Sequence, residues 1–212
     1  MTDHRLWSGP IALVLFAAGT LAIGEITPGY SHARQTVSEL GEAGAPGQLA
    51  FSVLLCLIAA SLVVCAAAIA RSLRNLGRSA LPAWFVAAMA VSCAGVGIFS
   101  HPHPLHNVFG LSETIGLQAP LLAAITSRRD PRLKQAAVFS IVMYLVVMLS
   151  FLVNLIPVVR PATLWPHVQP VLGIVQRSLF VSWFAWCAGY ALLLMRCRAN
   201  GSLPPRPLRG ST

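Results

Sequence analysis

Two short polar stretches interrupt an otherwise apolar chain, and between them they hold four of its six histidines and two of its four glutamates. The first runs Tyr30-Ser-His-Ala-Arg-Gln-Thr-Val-Ser-Glu-Leu-Gly-Glu-Ala-Gly-Ala-Pro46, the second Ser100-His-Pro-His-Pro-Leu-His-Asn107. His106 and Glu39 are candidate general bases, and Ser38 is a candidate nucleophile beside them. Arg34 and Arg177 are candidate anion binders, suited to a phosphate headgroup. Glu113 and Asn154 complete a candidate substrate site. Ser38-Glu39 also fits a plainer role, the N-cap turn of a helix. Imidazole is the commonest metal ligand. However, the spacing of His101, His103 and His106 matches no zinc pattern, and the intervening prolines hold the chain extended. No cofactor is therefore expected, and these three histidines are the only candidates for a divalent metal.

The elements that must position these groups follow from composition. Of 212 residues, 56% are hydrophobic and 10% charged, against about 25% charged in soluble domains. So few charges cannot cover a surface in water; lipid must cover it instead. A bilayer-crossing helix needs roughly 20 mostly apolar residues, and lipid-embedded backbone must satisfy itself within each segment. The apolar runs predict a bundle of six transmembrane helices near 8–27, 48–70, 81–100, 105–126, 136–158 and 168–195. The basic, proline-rich stretch 196–212 reads as a disordered tail. The first run has the basic start of a signal peptide, but it is long for one and lacks a small-x-small site. It is read as the first span.

Charge placement sets the orientation. Arg5, the segment 71–80, the segment 127–135 and the tail hold twelve of the fifteen Lys and Arg residues, while the opposite side holds only Arg34 and Arg160. The positive-inside rule puts the twelve, and both termini, in the cytoplasm. The protein is then expected in the cell (inner) membrane. The net charge of +9 is explained by this pattern, so no nucleic-acid partner is expected. None of the five cysteines falls in an outer loop, which argues against a structural disulfide.

Depth singles out two charges. Glu113 lies about 10 Å into the fourth span and Arg177 about 13 Å into the sixth, at 1.5 Å per residue, both measured from the outer face. An unpaired charge there costs at least about 2.5–3.5 kcal/mol, so the two are expected to pair. On the fourth span His106, Gly110, Glu113 and Pro120 share one helical face, the expected wall of an outward-opening cavity. Pro120 is expected to kink the helix below Glu113.

Tyr30-Ser31, Arg34, Thr36-Val-Ser-Glu-Leu-Gly41 and Gly44-Ala-Pro46 resemble the signature of domain-of-unknown-function family 998, prokaryotic multi-pass membrane proteins. His106-x-x-x-Gly110 is similar to the family's second motif. Many members place an Asp after an aromatic-Pro pair before that histidine; here Phe99-Ser-His-Pro-His stands instead. The resemblance implies a membrane bundle and no particular activity.

Three functions fit these residues. The first is an intramembrane enzyme acting on a lipid or lipid-linked substrate at the outer leaflet. The second is a transporter or ligand-binding membrane protein. The third is a structural or assembly subunit without catalysis. A closed pocket would favour the first, and a path reaching the inner face the second. Membrane lipids are the expected partners.

Overall fold

A computed structural model describes residues 3–199 of the chain. It is all helical across them: α1 (Ser8–Ile26), α2 (Gln48–Asn75), α3 (Leu81–Ile98), α4 (Pro104–Gly116), α5 (Ala119–Ser127), α6 (Lys134–Asn154), α7 (Ile156–Val159), α8 (Trp165–Val168) and α9 (Leu172–Ala199). Short 3₁₀ turns join some of them. Six stretches are long and apolar enough to cross a membrane: His4–Ile26, Gln48–Asn75, Leu81–Ile98, Pro104–Ser127, Pro131–Val159 and Trp165–Cys197. Large apolar side chains such as Val14, Leu57, Val91 and Leu145 stand exposed on the outside of the bundle, where hydrocarbon covers them. The last helix continues through Ala199, about one turn beyond the sequence reading. The rest of the expected tail, from 200, lies outside the described residues.

The spans pack in a ring that follows chain order. α1 lies against α2, α2 against α3, α3 against α4 and α5, α5 against α6, α6 against α9, and α9 closes on α1. The fourth crossing is divided, because α4 stops at Gly116 and α5 restarts at Ala119. Pro120 is the cause. It has no N–H to donate to the carbonyl four residues back, so that helical bond cannot form. The stranded Gly116 carbonyl accepts instead from the indole Nε1–H of Trp183 at 2.9 Å. The expected kink is thus a break, repaired from α9.

Around and beyond this repair the ring is filled with aromatic side chains. Trp183, Trp186 and Tyr190 are fully buried on successive turns of α9, and Trp186 Nε1–H donates to Ser140 Oγ. At the basic end Asp130 accepts from both Arg132 and Arg78, tying the segment after α5 to the segment after α2. The polar end is built differently: there the long connection 27–47 folds inward over the ring.

Candidate functional site

In the polar half of the ring, α4 makes its extensive packing against α3 only, while α5 below it is held by α3 and α6. The space left between α4, α1, α2 and α9 is a cavity of about 760 Å³. Its polar lining comes from Ser38, His106, Asn107, Glu113 and Gln176, with Cys93 beside Glu113. Phe16, Phe51, Phe180 and Phe184 supply much of the apolar wall. Phe16 stacks on Phe184 with ring centroids 4.9 Å apart. A Cβ added at Gly110 would meet nothing within 4 Å, so that glycine opens onto the space.

His106 is held by its own helix start. Pro104 begins α4, and the His106 ring folds back so that Nδ1 lies 2.8 Å from the Phe99 carbonyl. A carbonyl can only accept, so Nδ1 carries the proton and Nε2 keeps a lone pair when the ring is neutral. The protein therefore fixes one tautomer of a buried imidazole at the cavity wall, the arrangement a base requires. Two turns deeper, Glu113 makes no hydrogen bond or ion pair with any described residue. Its carboxyl faces the cavity alone.

Arg177 does not pair with Glu113. Its Nη1 donates to the carbonyls of His32 (2.9 Å), Gln35 (3.3 Å) and Gly173 (3.1 Å), and its Nη2 to the Tyr30 hydroxyl (2.7 Å) and His32 Nδ1 (3.2 Å). Gly173 makes this possible. A Cβ there would collide with the His32 and Gln35 carbonyls, so only glycine lets the connection lie on α9 one turn above Arg177. Burial raises the Tyr30 hydroxyl above its ordinary pKa, with the Arg177 hydrogen bond pulling the other way. That phenol stays a donor and bonds the Thr36 carbonyl at 2.8 Å.

Glu39 belongs to the same clamp. Its carboxylate accepts from Thr36 N–H and Thr36 Oγ1, both at 2.8 Å, and from Gln35 Nε2 at 3.0 Å. This is the reach-back of a capping box, T-x-x-E, and it turns Glu39 away from the cavity. Ser38, between them, does line the cavity, with its Oγ 3.1 Å from Thr36 Oγ1. Arg34 is exposed and borders a separate groove with Trp165 and Gln169. Asn154 Nδ2 donates to the Ser150 and Val175 carbonyls, so it joins α6 to α9 and does not reach the site.

The three histidines are not brought together on a common point. His101 Nδ1 lies 3.3 Å from Glu42, His103 Nδ1 accepts from Leu105 N–H, and His106 Nδ1 is bonded to Phe99. No group of three His, Cys, Asp or Glu able to hold a metal occurs among the described residues. Of the sequence-derived candidates, the structure brings together Ser38, His106 and Glu113. Arg34, Glu39, Asn154 and Arg177 are placed elsewhere.

The sequence reading missed two polar cavity residues, Asn107 and, on α9, Gln176. Gln176 Oε1 accepts from Val37 N–H, holding the 3₁₀ turn Val37–Gly41 over the cavity mouth. A glutamine next to Arg177 inside an apolar run was the available signal.

Six apolar crossings packed in a closed ring define a multi-pass α-helical membrane protein. Residues 10–193 match the family described as Protein of unknown function (DUF998), and the chain belongs to that family. No curated protein and no solved structure matches it.

Proposed function

We propose that this protein is an intramembrane enzyme acting on a lipid or lipid-linked substrate from the outer leaflet of the cell membrane. The observation that carries the reading is Glu113, an unpartnered carboxyl in a membrane-embedded cavity that also presents the Nε2 of a tautomer-fixed His106. An ionisable group inside a membrane is costly and marks function by default. A cavity of about 760 Å³ suits a small ligand, since such sites span roughly 300–1,000 Å³. In this reading His106 Nε2 takes a proton from a reacting hydroxyl, either Ser38 or a bound water, and Glu113 binds the substrate. The buried Trp183, Trp186 and Tyr190 between the cavity and the basic end support a closed site over a conducting path. The basic end is cytoplasmic in this reading, on the positive-inside rule.

The test is lipid analysis of a deletion strain complemented with variants. Wild type should restore the lipid profile; His106→Gln and Gly110→Leu should not. Gly110→Leu is informative because it fills the cavity without removing a protein contact. An unchanged lipid profile on deletion, or full restoration by both variants, would refute the enzyme.

A further inference from the structure

The cavity also defines the chemistry of what it holds and the direction from which it is filled. Among its lining residues there is no arginine or lysine. Arg177 is turned to loop carbonyls, and Arg34 borders a different groove. An anionic headgroup would therefore be buried beside Glu113 with no cation to offset its loss of hydration. A hydroxyl or amine gives that carboxyl the donor that the protein withholds. His106 Nε2 and Gln176 line the same space nearer the polar end.

The wall also has a seam. Leu111 on α4 and Val158 on α7 both line the cavity, yet they are 72% and 79% exposed on the outside of the bundle. A residue facing both the cavity and the lipid marks a gap between them. It falls where α4 lacks extensive packing against α6, α7 and α9. Asn107, also exposed and lining, sets a polar group at its upper edge.

We infer that the site takes an amphiphile with a neutral or cationic hydrogen-bond-donating head, a long-chain alcohol or amine, whose head passes sideways between α4 and α7 to Glu113 while its tail stays in the outer leaflet. This rests on the cavity being the substrate site, and it names the substrate class. It replaces the phosphate headgroup that the arginines suggested in the sequence.

Photoactivatable long-chain amine, alcohol and phosphate probes of equal chain length, added to the purified full chain in lipid nanodiscs, test it directly. Crosslinks should map to α4 and α7, with the amine labelling about tenfold more than the phosphate, the factor one charge-assisted hydrogen bond carries. Glu113→Gln should remove that preference. Leu111→Trp should block labelling, while Leu149→Trp, exposed on α6 but not lining the cavity, should not. Phosphate labelling equal to the amine, a preference that survives Glu113→Gln, or labelling indifferent to Leu111→Trp would each overturn the inference. These readouts need no turnover. Selective labelling in a protein whose deletion leaves lipids unchanged would sink the enzyme and leave the ligand class standing.

Discussion

Trp183 donates its indole N–H to the one carbonyl, that of Gly116, which Pro120 leaves without a helical donor. The two residues are 63 positions apart in sequence, yet one supplies what the other lacks. Trp183→Phe keeps the ring and removes only the donor. Leaving a buried carbonyl unsatisfied costs about 1–3 kcal/mol, so this variant should melt earlier in detergent. Pro120→Ala restores a backbone N–H that can reach Gly116. In that background the cost of Trp183→Phe should shrink, and a double-mutant cycle on thermal unfolding measures the difference. Equal costs in both backgrounds would mean the two residues are not coupled.

The divided crossing shows what the sequence could and could not carry. Six apolar runs were legible because lipid demands them of any helical span, and Pro120 was legible as a kink because its missing N–H is local. Its repair was not, since nothing near Trp183 in sequence points to Gly116. The same holds in the site. His106, Gly110 and Glu113 were readable as one face by helical period alone. The partners of Arg177 are main-chain carbonyls, which every residue possesses, so no pattern of side chains announced them. Thr36-Val-Ser-Glu39 did carry a capping-box pattern, and its neighbourhood to Ser38 made the acid look available for chemistry instead.

At the basic end Asp130 is 2% exposed, covered by guanidinium groups. Hydrogen bonds from Arg132, with Arg78 assisting against the effect of burial, hold its carboxyl well below the usual carboxylate range. A depressed folded-state pKa gives stability that is present above the unfolded value, about 3.9 for Asp, and is lost as pH falls toward the folded one. Asp130→Asn should therefore lower stability by about 1–3 kcal/mol at neutral pH. The gap from wild type should hold from pH 7 to about 4 and narrow below that. Melting curves across this range would expose a gap that instead widens in acid.

Orientation is open to chemical labelling. In a variant with its native cysteines replaced, single cysteines at Ala43 and His103 sit at the polar end and others at Asn75 and Arg129 at the basic end, all on exposed positions. A membrane-impermeant maleimide added to intact cells should modify the first pair and spare the second, as the positive-inside rule requires. Modification of the second pair alone would invert the protein.

Arg177 and Glu113 lie in the same half of the ring and do not meet, so their energetics should be separate. Arg177→Met removes donors from the His32 and Gln35 carbonyls and from His32 Nδ1 at once. The connection 27–47 then loses its anchor on α9, and stability should fall by about 3–5 kcal/mol, the cost of breaking a buried charged network from one side. Glu113→Gln removes a carboxyl that no protein group partners, so it should leave stability unchanged or raise it slightly. If the two groups were a buried ion pair, removing both would cost far less than the sum of the single losses. With the partners seen here the double variant should melt where additivity puts it, within about 0.5 kcal/mol. Function should separate in the opposite sense. Glu113→Gln should abolish complementation in a protein that folds normally, whereas Arg177→Lys, which keeps the charge and one donor group, should recover part of both stability and function. Thermal unfolding and complementation of the same four variants decide it. Coupling well beyond error between Arg177→Met and Glu113→Gln would show that the two charges find each other in the membrane, and the clamp described for Arg177 would have to be withdrawn.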